Sequence, residues 1–102
     1  MEFIEAPLFT KYIYDYLNEE EYMAMQWYLS LHPDSGAMIS GSGGLRKIRW
    51  KAKGQGKSGG IRTIYYHKST ENQIWLLTVY GKNEVESIPA YLLKKIKEEI
   101  IK

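Results

Sequence analysis

The chain is 102 residues long, with 44% hydrophobic and 14% aromatic residues: the length of one domain with enough apolar side chains for one core, which excludes a disordered chain. Its net charge of +2 conceals a sorting along the sequence: residues 1–34 hold seven Asp/Glu and one Lys (net −6), residues 35–70 hold eight Lys/Arg and no acid, and residues 71–102 balance at five each. The lack of Cys excludes disulfides and thiolate metal sites, and no apolar run approaches the ~18 residues of a membrane span.

The first residues, Met-Glu-Phe-Ile-Glu, are acidic where a signal peptide would be basic, so a soluble cytoplasmic protein is expected. Residues 3–5 read as a short strand. Pro7 suits a first helical turn, where its missing N–H costs nothing. Phe9, Tyr12, Ile13, Tyr16 and Leu17 then recur at helical spacing. Asn18 closes this helix and caps a second, with Glu21 placed for a capping box. Glu19, Glu20 and Glu21 favour the positive helix N-terminus. The second helix is expected to reach about His32, with Tyr22, Met25 and Leu29 on one side and Trp27, Tyr28 and Leu31 widening it. Pro33-Asp34-Ser35-Gly36 ends it.

Residues 36–44 are small and read as a flexible connection. A strand over 45–53 alternates sharply. Lys47, Arg49, Lys51 and Lys53 fall on one face, Ile48, Trp50 and Ala52 on the other. Helices on one side of the sheet would bury the second set and show the first. Residues 54–60 form a glycine-rich hairpin loop, and 61–68 the next strand, rich in β-formers. The almost wholly apolar 73–80 reads as a central strand. Ser87 caps a last helix with Pro89 in its first turn. Leu92, Leu93, Ile96 and Ile100 form its stripe, while Lys94, Lys95 and Lys97 face solvent. The expected architecture is one α+β domain over residues 1–102, ordered β-α-α-β-β-β-α, with two N-terminal helices packed on a mainly antiparallel sheet.

Two glycine-rich stretches carry no nucleotide chemistry. Gly56-Lys57-Ser58 lacks the Gly that a phosphate loop needs five residues earlier, where Lys51 stands. Residues 41–46 fail the dinucleotide fingerprint at the last position, Arg46. His32 and His67 have no ligand-spaced partner. The basic segment is different. Four cations at alternate positions repel one another, so this surface costs stability. It serves either as a solvated edge that resists aggregation or as a polyanion site. In the second reading Lys and Arg contact phosphates, and Tyr65, Tyr66 and Tyr80 can stack on bases. RNA cleavage would also need a base, an acid and charge stabilisation. With no carboxylate and one His in the segment, Lys, Tyr or Arg with shifted pKa values would have to supply them.

Three motifs, in order, are Gly43-Gly44-Leu45-Arg46-Lys47-Ile48-Arg49, Gly59-Gly60-Ile61-Arg62-Thr63-Ile64-Tyr65-Tyr66, and Leu76-Leu77-Thr78-Val79-Tyr80-Gly81-Lys82-Asn83-Glu84. With two helices before them, they make the chain resemble the RelE/ParE toxin superfamily, and within it the HigB-type toxins of type II toxin–antitoxin modules. The resemblance implies a RelE-like fold and a ribosome-dependent mRNA endoribonuclease (an mRNA interferase). Such toxins cut mRNA in the ribosomal A site by in-line attack of the 2′-hydroxyl, without metal or cofactor. It implies a cognate antitoxin, HigA-like with a helix-turn-helix domain, and no membrane. Carried over residue by residue, Arg62 matches the family's phosphate-binding arginine. Lys51 and Lys53 match basic residues ending the preceding strand, and Tyr80 and Lys82 match the aromatic and basic positions closing the last one. These five are the expected catalytic set. Arg46, Lys47, Arg49, Lys57, Tyr65 and Lys68 are the expected RNA- and ribosome-binding residues. Tyr91 is the one residue available for a helix tyrosine that the best-known members use. The ParE branch, whose members inhibit DNA gyrase without cleaving anything, is the alternative.

Overall fold

The computed structural model describes residues 1–51, 60–82, 84 and 88–101. The chain forms an α+β fold with three helices and a five-stranded mixed sheet. In order these are β1 (Glu2–Glu5), α1 (Pro7–Tyr16), α2 (Glu19–Leu31), β2 (Ala37–Met38), β3 (Arg46–Trp50), β4 (Ile61–Lys68), β5 (Gln73–Gly81) and α3 (Ala90–Ile100). The sheet order is β1-β5-β4-β3-β2. β3, β4 and β5 form an antiparallel meander that β2 extends, while β1 runs parallel to β5. No helix among the described residues is long and apolar enough to cross a membrane.

The junction of α1 and α2 forms as local chemistry dictates. Pro7 opens α1. Asn18 Oδ1 accepts from Glu21 N–H at 2.8 Å, and Glu21 Oε1 accepts from Asn18 N–H at 2.9 Å, so each satisfies an N-terminal donor of α2. Tyr22, Met25 and Leu29 face the sheet and are buried. Trp27, Tyr28 and Leu31 do not widen this face: all three are exposed. At about 100° per residue, positions 27 and 31 lie roughly 200° from 25 and 29, on the side away from the sheet. Phe9, Ile13, Leu17, Met25, Leu29, Ile48, Ile61, Tyr65, Ile74, Leu76 and Val79 form the core between these helices and the sheet.

The opposite face is covered too, over part of its area. There α3 packs Leu93 against Leu45, Ile64, Leu77 and Tyr80. Its stripe is narrower than the sequence suggests, since Leu92 is exposed. Lys97, expected in solvent, lies 4.5 Å from the Tyr66 ring centroid, and its Nζ donates to Gly43 C=O at 2.8 Å. Pro89 precedes the helix as its N-cap; Ser87 lies outside the described residues.

Residues 36–44 are more ordered than their composition implies. Ala37 and Met38 pair with Lys47 and Arg46. Ile39 N–H donates to Leu45 C=O at 2.9 Å, and Ser42 Oγ accepts from Leu45 N–H at 3.0 Å. This added strand is short, so β3 keeps a free edge from Ile48 onward among the described residues.

One irregularity matters for the site. The β4–β5 pairing shifts register between Ile64 and Tyr65, whose partners are Thr78 and Leu76. Ile74, Leu76 and Val79 belong to the α1/α2 side, whereas Leu77 and Tyr80 belong to the α3 side. The bulge at Leu77 thus resets the alternation and moves Tyr80 to the α3 face.

Candidate functional site

Alternation divides β3 and β4 as their sequences suggest. Ile48, Ile61 and Tyr65 enter the α1/α2 core, with Trp50 packed against it. Lys47, Arg49 and Arg62 therefore point to the α3 face. Arg49 is the direct cross-strand partner of Arg62, and Arg62 that of Tyr80. The α3 cluster covers Leu45, Ile64 and Leu77 and reaches Tyr80; on the same row as Tyr80, Arg62 is half-buried and Arg49 exposed.

At that end of the sheet Arg49, Trp50, Lys51, Gly60, Arg62 and Lys82 line one cleft of about 190 Å³. Four cations from three separate stretches of chain converge there. Lys82 N–H donates to Gly60 C=O at 3.3 Å, tying the end of β5 to the start of β4. Gly60 has φ +125°, and a Cβ there would lie 3.3 Å from Trp50 C=O. The position needs glycine for both reasons. Behind Lys82, the Glu84 carboxylate accepts from the Tyr16 phenol and, at 2.9 Å, from Gly81 N–H. Burial first, and then this bond, push the Tyr16 phenol up to about 12.

Among the described residues Arg62 makes only a long 3.5 Å contact to Ile61 C=O. Tyr80 is 7% exposed. Burial raises its phenol above the ordinary tyrosine value, and the opposing pull of Arg62 is the smaller effect. Near neutral pH Tyr80 is therefore a hydrogen-bond and proton donor rather than a base. The cationic surroundings do not bring its pKa below the ordinary value. Among the described residues, those lining the cleft include no carboxylate and no imidazole.

Of the expected catalytic residues, the structure brings Lys51, Arg62 and Lys82 into one cleft and sets Tyr80 beside Arg62. Lys53 lies outside the described residues. Of the expected binding residues, Arg49 joins the cleft itself, and Lys47 lines an adjoining groove of about 490 Å³ with Tyr28, Arg49 and Trp50. Lys57 lies outside the described residues. The other three are placed elsewhere. Arg46 pairs across β3–β4 with Tyr65 and donates to Gly36 C=O at 2.8 Å and Asp34 C=O at 3.0 Å, so it fastens the α2–β2 connection. Tyr65 is fully buried; its hydroxyl donates to Pro33 C=O at 2.8 Å and accepts from Gly36 N–H at 2.9 Å, so it offers no ring to a base. Lys68 stands at the far end of β4, six residues from Arg62 and paired with Glu71 at 2.9 Å. Tyr91 is exposed in the first turn of α3 and does not line the cleft.

Sequence reasoning missed Trp50 as a site residue. Its alternation marks it for the core, yet it is half-buried, lies 5.6 Å from the Tyr28 ring, and walls both the cleft and the groove. Its place as the last described residue of β3, at a free edge, was the available signal. No protein-family model matches this chain.

Proposed function

We propose that this protein is an endoribonuclease toxin that cleaves ribosome-bound mRNA, a HigB-type member of the RelE/ParE superfamily. The observation that carries the reading is the convergence of Arg49, Lys51, Arg62 and Lys82 on one cleft of about 190 Å³, room for a phosphodiester and its flanking atoms. Cations gathered from three stretches of chain, at a cost in mutual repulsion, favour a polyanion site over a merely solvated edge.

In this reading Arg62 and Arg49 hold the non-bridging oxygens of the scissile phosphate and stabilise the charge that builds on them in the transition state. The 2′-oxygen attacks phosphorus, the bond to the 5′ oxygen breaks, and the products are a 2′,3′-cyclic phosphate and a 5′-hydroxyl. In this reading the proton leaving the 2′-hydroxyl and the proton gained by the 5′ oxygen pass through Lys or Tyr, the titratable types that the described residues bring to this end of the sheet. Lys82 is the proposed donor to the leaving oxygen, with Tyr80 as a neutral donor beside Arg62. The same reading places the protein in the cytoplasm with a cognate antitoxin of the HigA-like, helix-turn-helix kind.

The test is cleavage of mRNA on purified ribosomes by the wild type and by Arg62→Ala, with transcript ends mapped in cells. Cuts at the A-site codon that disappear with Arg62 are expected. Intact transcripts together with arrested replication would replace this reading by the gyrase-inhibitor one.

A further inference from the structure

On the far side of the sheet from the cationic cleft, β1 forms the other edge, three strand spacings (about 14 Å) from β3. Glu2 N–H and Ala6 N–H donate to Asn72 and Leu76 carbonyls of the β5 side. In a parallel pair the intervening residues point the other way, so the N–H and C=O groups of Phe3 and Glu5 face outward. Among the described residues no strand pairs with that side. Next to this open edge lies an apolar groove of about 350 Å³, lined by Met1, Phe3, Met23, Gln26, Trp27 and Ser30. Met23 and Trp27 are one helical turn apart and are 63% and 69% exposed. A tryptophan left this open beside unpaired strand backbone is the pattern of a binding hot spot.

From this we infer that the β1 edge and the Met23–Trp27 groove together receive an extended, basic segment of a partner protein, which adds a sixth strand to the sheet. Backbone pairing with Phe3 and Glu5 would set the register, and every second side chain of the segment would enter the groove against Phe3, Met23 and Trp27. Charge selects the occupant. β1 carries two exposed carboxylates in four residues and no basic side chain, so a second copy of this edge would bring Glu2 and Glu5 against Glu2 and Glu5, while Lys and Arg in the segment would meet opposite charge. The inference does not rest on the ribonuclease reading, and a partner bound here would leave the cationic cleft uncovered.

A phage-displayed library of random nine-residue segments, selected on the intact protein and counter-selected on Trp27→Ala, tests it without any RNA. Enriched segments should alternate apolar residues with Lys or Arg. A synthetic peptide of the leading sequence should bind the wild type about tenfold or more tighter than Trp27→Ala. N-methylation of its edge-facing amides should abolish binding. Trp27 is exposed, so its loss leaves the fold in place, which a thermal melt checks. No enrichment, acidic segments, equal binding to Trp27→Ala, or tolerance of N-methylation would each overturn the proposal. Self-association of the wild type in sedimentation, lost in Trp27→Ala, would overturn it in favour of a second copy.

Discussion

Replacing Arg62 by Gln should move stability and activity in opposite directions. Arg62 faces Arg49 directly across the β3–β4 ladder. Like charges in that arrangement oppose each other by about 0.2–1 kcal/mol. Against this, the native side chain has, among the described residues, only its 3.5 Å contact to Ile61 C=O to lose. Glutamine keeps most of the aliphatic stem, so the fold should be unchanged or up to about 1 kcal/mol more stable, a rise in Tm of up to roughly 4–8 °C. The ligand side has the other sign. Losing a charge-assisted contact to a phosphate oxygen costs about 1.5–3 kcal/mol, which is roughly a 10- to 150-fold loss in cleavage rate at subsaturating substrate. Urea unfolding and ribosome-bound mRNA cleavage, measured on the same preparation, check both halves. A variant that is destabilised yet cleaves as well as the wild type would show that Arg62 serves the sheet and not a phosphate, and the site would have to be abandoned.

Tyr65→Phe should behave in the reverse manner. It orphans the buried Gly36 N–H and Pro33 C=O at about 1–3 kcal/mol each, so urea unfolding should shift markedly while cleavage by the folded fraction is retained. Gly60→Ala should lower cleavage by about tenfold or more, because relief of the positive φ and of the contact with Trp50 C=O displaces the strand end that anchors Lys82. For Tyr16, the folded pKa of about 12 lies above the ordinary value of 10, so its stabilising contribution is complete below pH 10 and is lost as pH rises from 10 to 12. Tyr16→Phe should flatten the stability–pH curve in that window, as followed by circular dichroism.

What was legible in the sequence was what local chemistry decides. The Asn18–Glu21 box closes within four residues, and its two hydrogen bonds need nothing from the rest of the chain. The alternation of Lys47 and Arg49 against Ile48 and Trp50 also held, because a strand with one face in the core has only one acceptable register; β3 ends at Trp50, short of Lys51, and Ala52 and Lys53 lie outside the described residues. The misreadings fall where tertiary context decides. Trp27 and Leu31 look like core residues by type, but they lie on the side of α2 away from the sheet, where no layer of the described residues covers them. β2 exists because β3 offers it an edge, which two residues of sequence do not announce. Arg46 is one residue out of phase with Lys47, so strict alternation already assigned it to the other face; grouping it by charge obscured that. Tyr65 and Tyr66 are adjacent and alike, and composition does not say which one enters the α1/α2 core.

The bulge in β5 joins fold to site. Ile74 and Leu76 face the α1/α2 core, and uninterrupted alternation would place Tyr80 with them. The added residue at Leu77 turns Tyr80 onto the α3 face, directly across from Arg62, while Val79 takes the core position. This gives Arg62 a neutral neighbour. A carboxylate there would pair with the guanidinium and offset its charge, on which the proposed phosphate contact depends, and another cation would add to the Arg49–Arg62 repulsion. A phenol whose pKa is raised by burial does neither, and it keeps its proton through the neutral range. A single extra residue in a strand thus decides that Arg62 has a protonated phenol as its cross-strand neighbour.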